Sequence, residues 1–447
     1  MSSKIYFVHC IDTEGPLYES LDAKFQLLKE VFNIDGLPVS WDNFAKLQAG
    51  KLDIGGKERE VAEFFNSQRV NLNRTWTEVE AMLDRITAPE FRNSRPDSNG
   101  NGWVYNWFCL DHINYQYNPR RRDIGFHNVF DFYADYLQRT EGYGDALHWH
   151  FHPMSTYSDA HRCATHYFRS PEIFEILCRK IIERNWFPST YRAGFNLERP
   201  DSHWFLEQWI PFDISNSSQE DNTLLENSLD LRNGRAGDWR RALKEWSIYH
   251  PDHDDYQRPG NCRRWIGRAL HLLNRLYSLT ENEVVRAFEQ AAAGKPALVG
   301  LCSHDFRDMG AEVEYVRDLI DKVSPSYPGV TYEFAEARHA FRQVIGSESD
   351  AAPALDFDLT FNPADDNDHA SIDVTLKQGS VFGPQPFLAI ETKSRRFIHD
   401  NFDFTDFGTR WSYAFYGDTL PIDDVARIGV AANDKFGNTC IRHLDFT

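Results

Sequence analysis

The sequence predicts a distorted (β/α) barrel of about seven strands over residues 1–346, followed by an all-β, sandwich-like domain over 355–447. Three observations carry that reading. From Lys4 to Ile345, short apolar runs alternate with stretches of helical period, the pattern of a parallel sheet with crossover helices. Polar residues able to do chemistry (Asp12, Asp111, His150, Arg192 and His304) each stand at or just past the end of such a run. Convergence of several strand ends on one rim is how a closed barrel builds a site, which favours it over an open sheet. Beyond the polar, small-residue stretch Gly346–Pro353 the helical period gives way to short alternating strands.

The elements follow in chain order. Lys4–Ile11 is short, apolar and rich in Ile, Phe and Val, as a buried strand should be. Helical patterns come next at Leu21–Phe32, Lys57–Ser67 and Thr75–Ile86, then an aromatic strand at Trp103–Leu110 and a helix over Asn128–Gln138. Asp145–His150 is the next strand. Ser170-Pro171-Glu172 opens a helix with a cap residue and an early proline, running to about Asn185. A strand at Ser189–Arg192, a helix at Asp201–Trp209 and strands at Phe212–Ser215 and Trp246–His250 continue the series. Thr280-x-x-Glu283 reads as a capping box opening a helix to Ala293, ahead of the strand Ala297–Ser303. A helix at Glu312–Val323, a strand near Val330–Glu333 and a helix at Ala335–Ile345 close the barrel pattern. Ser371–Leu376 and Phe387–Ile390 are strands of the second domain, expected to be an independent sandwich serving homodimerisation or glycan binding.

Composition narrows the class. A net charge of −19 argues against nucleic acid or an anionic membrane surface as a partner. No apolar run reaches the ~18 residues of a membrane span, and the start of the chain lacks the apolar core of an export signal. The seven cysteines are scattered and never in CxxC spacing, which fits reduced thiols and a cytoplasmic location. Aromatic content of 14% suits either carbohydrate-facing surfaces or a large core.

The run Leu147-His148-Trp149-His150-Phe151-His152-Pro153 places three imidazoles on one face of a strand. Each ring has a donor and an acceptor to satisfy, and coordination of a divalent cation, zinc first, answers that need. Ile11-Asp12-Thr13-Glu14-Gly15 upstream supplies carboxylates, and Ser303-His304-Asp305 downstream supplies another imidazole. Glu14 with two of His148, His150 and His152 is the expected ligand set. Asp12 is the candidate general base and His304 the candidate acid. Asp111 and His112 have equal claim to face the substrate or to support the site from behind it, and the basic run Arg120, Arg121 and Arg122 is a candidate substrate contact, for a phosphate or uronate. Plainer readings exist for each: Asp12 as a turn cap, His304-Asp305 as a helix cap pair, Arg192 as a structural ion-pair partner, and Arg120–Arg122 as a solvated loop.

The order Asp-x-Glu, His-x-His-x-His-Pro, Tyr191-Arg192-Ala193-Gly194 and Leu301-Cys302-Ser303-His304 resembles the polysaccharide deacetylase (NodB-homology carbohydrate esterase) family, over about residues 4–345. The subset encoded with bacterial surface-polysaccharide (O-antigen) biosynthesis is the nearest in character. The resemblance implies a metal-dependent N-deacetylase of an N-acetylated sugar, lipid-linked or nucleotide-linked, with Asp12 as base, Glu14 and two histidines on the metal, Arg192 tethering Asp12, and His304 as acid. Two departures stand out: Ala193 replaces the usual proline between Arg and Gly, and Phe212–Ser217 lacks the usual Trp of the fourth motif. They leave open a C–N hydrolase of a non-sugar amide or formamide, and an inactive carbohydrate-binding or scaffold protein.

Overall fold

The computed structural model describes residues 4–112, 127–140, 143–153, 166–220, 237–272, 277–346, 352–366 and 368–446. Its centre is a closed, parallel barrel of seven strands: β1 (Lys4–Thr13), β2 (Tyr105–His112), β3 (Ala146–His152), β4 (Thr190–Ala193), β5 (Phe212–Asn216), β6 (Trp265–His271) and β7 (Ala297–His304), with β7 returning to β1. An eighth strand, β8 (Thr331–Phe334), shares one edge of β1 with β2: β8 pairs with Lys4–Phe7 and β2 with His9–Thr13.

Period-two alternation explains the layering. Tyr6, Val8 and Cys10 point inward with Phe108, Phe212, Ile214, Ala269 and Leu298. Ile5, Phe7 and Ile11 point outward against the helices, in a second layer with Trp107, Leu270, Val299 and Leu301. Helices α1 (Leu21–Phe32), α2 (Trp41–Gln48), α3 (Glu58–Phe64), α4 (Ser67–Val70), α5 (Trp76–Thr87) and α6 (Pro89–Arg92) all lie between β1 and β2. The first of them gather around their own apolar cluster of Phe25, Leu28, Phe32, Phe44, Leu47, Val61 and Phe65. Around the barrel run α7 (Asn128–Arg139), α8 (Glu172–Arg184), α9 (Pro200–Trp209), α10 (Glu281–Ala292) and α11 (Met309–Val323). The last barrel helix, α12 (Ala337–Ile345), closes the end opposite the strand tips, Phe341 stacking on Phe212 with ring centroids 4.5 Å apart.

Two sequence expectations need correction. Trp246–His250 is not a barrel strand; Tyr249 makes only an isolated antiparallel bridge to Ile266. The strand at that place is Trp265–His271; Arg264 just before it and Arg268 within it are buried and paired, Arg264 with Glu198 (2.9 Å) and Arg268 with both oxygens of Glu283 (2.8 Å each). Thr280 does stand at the N-cap of α10, but its side chain makes no capping bond, and the Glu283 carboxylate that would complete a capping box is committed to Arg268.

After the barrel, β9 (Asp356–Asn362), β10 (Ser371–Gln378), β11 (Phe387–Thr392), β12 (Phe397–Asp400), β13 (Asp403–Asp406), β14 (Arg410–Ala414), β15 (Val425–Asn433) and β16 (Thr439–Asp445) form two antiparallel sheets. Their orders are β13-β14-β10-β9 and β12-β11-β15-β16. Leu388, Ile390 and Val430 face the other sheet together with Phe357, Ile372, Val374 and Trp411. The intervening Phe387, Ala389 and Ala431 face α8 and α9, packing with Ile181, Phe187 and Trp209 in one cluster. Asn433 also donates to the carbonyls of Pro188 (2.7 Å) and Trp209 (2.8 Å). The sandwich and the barrel thus share this apolar cluster. No helix among the described residues is long and apolar enough to cross a membrane.

Burial of histidines gives the fold a pH signature. Desolvation lowers the pKa of His9 to about 3, of His148 to about 4, and of His127 and His203 to about 2. An unfolded chain binds protons at these sites below about pH 6.5, so their stabilising contribution is complete above that pH and is lost as pH falls through 6.5 toward the folded values. Asp305 and Glu312, both raised to about 7 chiefly by burial, act oppositely, since the folded protein holds their protons longer. Asp145 and Glu198 are raised by burial as well, but among the described residues the histidines shifted down, with His166, His271, His304, His399 and His443 beside these four, outnumber the four acids shifted up. Stability is expected to fall from about pH 6.5 downward, by about 1.4 kcal/mol per pH unit for each net proton taken up. Urea midpoints that stay level from pH 7.5 to pH 5 would contradict this.

Candidate metal centre

The inward-facing residues at the C-terminal ends of β1, β3, β4, β6 and β7 meet at one rim. Register places them side by side: Asp12 beside His304, His150 beside Arg192, His152 beside His112, and His271 beside Cys302. Glu14, His150 and His152 bring their ligand atoms within 4.8 Å of one another, all three residues being buried. His271, Cys302 and His304 form a second group meeting the same criterion.

Hydrogen-bond accounting separates the two groups. His150 Nδ1 lies 3.0 Å from the Arg192 carbonyl, which can only accept, so the ring proton sits on Nδ1 and Nε2 carries a lone pair. That lone pair faces His152 Nε2 at 2.9 Å, and Glu14 Oε1 lies 3.9 Å from His152 Nε2. Two imidazole nitrogens converging beside a carboxylate, one ring oriented by a backbone carbonyl, match the donor set and outer support of a divalent-cation site. In the second group the lone pairs are already used. Arg192 Nη2 donates to Asn196 Oδ1 (2.6 Å), which turns the Asn196 amide nitrogen toward His271 Nε2 (2.9 Å). The same guanidinium nitrogen lies 2.9 Å from Cys302 Sγ, and Arg307 donates to His304 Nδ1 at 3.1 Å. Guanidinium groups on two of its three members make this cluster a poor cation site and leave the first as the candidate metal centre.

Asp12 lies between the two groups. Arg192 Nε donates to both of its oxygens, at 2.8 and 3.0 Å, and His304 Nε2 is 3.8 Å from Oδ2. Burial opposes its ionisation, but the charge and hydrogen bonds of the Arg192 guanidinium more than offset this and hold its pKa below the ordinary value. His304 is shifted the other way: burial, then Arg307 and the neighbouring rings and charges, push its pKa well below the histidine norm. With Arg307 occupying Nδ1, its proton sits on Nε2, on the side of Asp12.

The turn after β4 builds the rest of the rim. Phe195 and Asn196 both adopt the left-handed region (φ 55° and 53°), a strained pair for residues other than glycine. This brings the Phe195 ring to 4.7 Å from that of His152 and Asn196 back onto Arg192 and His271. A Cβ on Gly194 would lie 2.5 Å from His152 Cδ2, so only glycine leaves room for that imidazole.

Several sequence candidates sit elsewhere. His148 lies deeper in the barrel, Nε2 3.0 Å from Asn106 Oδ1 and 3.4 Å from Glu336 Oε1, outside the ligand group. Asp111 is not substrate-facing: it points outward from β2, accepting from Trp149 Nε1 (2.7 Å) and pairing with Lys180 (3.1 Å), both partners buried. His112 does face inward, its ring 5.0 Å from that of His152. Arg120, Arg121 and Arg122 lie outside the described residues. Sequence reading passed over Asn196, His271 and Arg307; the first two close the network around Arg192, and the third orients His304. A search of family models, curated proteins and solved structures returned no match to this chain.

Proposed function

We propose that the protein is a metal-dependent hydrolase of amide C–N bonds, acting as an N-deacetylase on an N-acetylated sugar in surface-polysaccharide biosynthesis. The observation that carries this reading is one rim holding three things together: the Glu14–His150–His152 group, a carboxylate clamped by Arg192, and His304 on the far side of that carboxylate. The motif order that resembles the polysaccharide deacetylases supports it. A divalent cation in the group, zinc by its carboxylate and imidazole donors, supplies a water of lowered pKa and polarises a bound acetamide carbonyl. Asp12, ionised at neutral pH, removes a proton from the attacking water. Arg192 keeps that carboxylate ionised and fixed in direction. His304, neutral with its proton on Nε2, passes that proton to the departing amine and regains the one that Asp12, 3.8 Å away, took from the water, so both groups end as they began.

The substrate is proposed to be a nucleotide-linked or lipid-linked precursor met in the cytoplasm. Cys10, Cys109, Cys178, Cys262, Cys302 and Cys440 are all unpaired thiols, which suits a reducing compartment. The test is an acetate-release screen of zinc-loaded protein over nucleotide-linked and lipid-linked N-acetyl sugars, with neutral chitin oligomers alongside. Acetate from a linked sugar supports the proposal. Zinc-loaded protein that releases none from any of them, while cleaving simple amides or formamides, would replace the sugar substrate with a smaller amide.

A further inference from the structure

Asp305 is a fully buried carboxylate that the chemistry above leaves without a role. It follows His304 directly at the end of β7, and its oxygens accept from the amides of Glu14 (2.8 Å) and Gly15 (3.1 and 3.0 Å) and from the Tyr133 hydroxyl (2.9 Å). Sheet pairing of β1 ends at Asp12 on the β7 side and Thr13 on the β2 side, so Glu14 and Gly15 lie beyond the ladder that fixes the rest of the strand. Gly15 then turns through the left-handed region (φ 75°) into the helical segment. The Asp305 backbone oxygen accepts from Asn73 Nδ2 (2.8 Å), tying down the return of that same segment, whose Asn73 carbonyl accepts from the Leu17 amide (2.8 Å).

We propose that Asp305 is a positioning residue for the metal centre: by accepting hydrogen bonds from the Glu14 and Gly15 amides in place of the missing ladder, it fixes the backbone of Glu14 where the Glu14 carboxylate meets His150 and His152. The inference rests on the reading of Glu14, His150 and His152 as cation ligands. Tyr133, on α7, completes the device by holding the Asp305 carboxylate toward the two amides. A carboxylate suits this place because every group pointing at it is a donor. An asparagine of the same shape would turn an amide NH₂ toward one of them.

Zinc affinity, measured by competition with a chromophoric chelator, and melting temperature with and without zinc test this on wild type, Asp305→Asn and Tyr133→Phe. Supporting groups of this kind typically set metal affinity by 10–100-fold. Asp305→Asn is expected to weaken zinc binding by about that much, and Tyr133→Phe by less in the same direction. The zinc-induced rise in melting temperature should shrink in both. A merely structural role would lower the melting temperature equally with and without zinc and leave the zinc dissociation constant unchanged; that pattern overturns the proposal, and Tyr133→Phe alone decides it if Asp305→Asn does not fold. Weakened zinc binding in the variants of a protein that releases no acetate leaves Asp305 its role and removes the deacetylase reading. Acetate release with unshifted zinc affinity in both variants does the reverse, and wild-type protein that takes up no zinc removes both.

Discussion

Asp12→Asn is expected to cost at least about two decades of kcat while leaving zinc content and fold in place. The substitution keeps the shape of the side chain and one acceptor oxygen for Arg192, whose other donors still reach the Ile214 carbonyl (2.9 Å) and Asn196. What disappears is the ability to take a proton. Since Asp12 is not among the three ligand residues, metal content separates loss of a base from loss of the centre. Paired measurements of kcat and bound zinc check this; a near wild-type rate in the variant would end the proposed role of Asp12.

The second large effect is expected at Arg192. Its guanidinium is completely buried and reaches Asp12, Ile214, Asn196 and Cys302. Replacing it by Met leaves Asp12 buried without its counter-charge, and breaking a buried pair from one side typically costs about 3–5 kcal/mol. The sign on pKa follows. With Arg192 present, Asp12 is held below its ordinary value against the pull of burial; without it, burial prevails and the pKa rises. The acid limb of the kcat profile should therefore move to higher pH in Arg192→Met, together with a lower denaturation midpoint. Lost stability with an unmoved acid limb would make Arg192 a structural residue only.

Most of the barrel was legible because its strands are short apolar runs and its chemistry stands at their ends, as Asp12, His150, Arg192 and His304 do. The strand that escaped is one whose charge is buried but paired. Arg268 interrupts the apolar run of Trp265–His271 and Arg264 precedes it, yet both are neutralised by Glu198, Asp213 and Glu283. Losing that strand also lost His271. Asp111 stood open between two roles, and parity decides it. Its neighbours His112 and Asn106 face inward, so strand parity puts Asp111 on the outer face, where Lys180 meets it. The period-two run of histidines was sound as far as it goes, since all three rings share the inward face. Depth along the strand decides which of them meet Glu14, and depth follows from register with Asn106 and Arg192, which one strand read alone does not contain.

The central claim is that Glu14, His150 and His152 hold one divalent cation at the barrel rim, and metal stoichiometry tests it most directly. Protein stripped with chelator, reloaded with zinc and dialysed is assayed by elemental analysis, with wild type beside His150→Ala/His152→Ala and His148→Ala. The account predicts one bound zinc in wild type, one in His148→Ala, and none in the double variant once folding is confirmed by circular dichroism. Full zinc occupancy in the folded double variant, or its loss in His148→Ala alone, would contradict it.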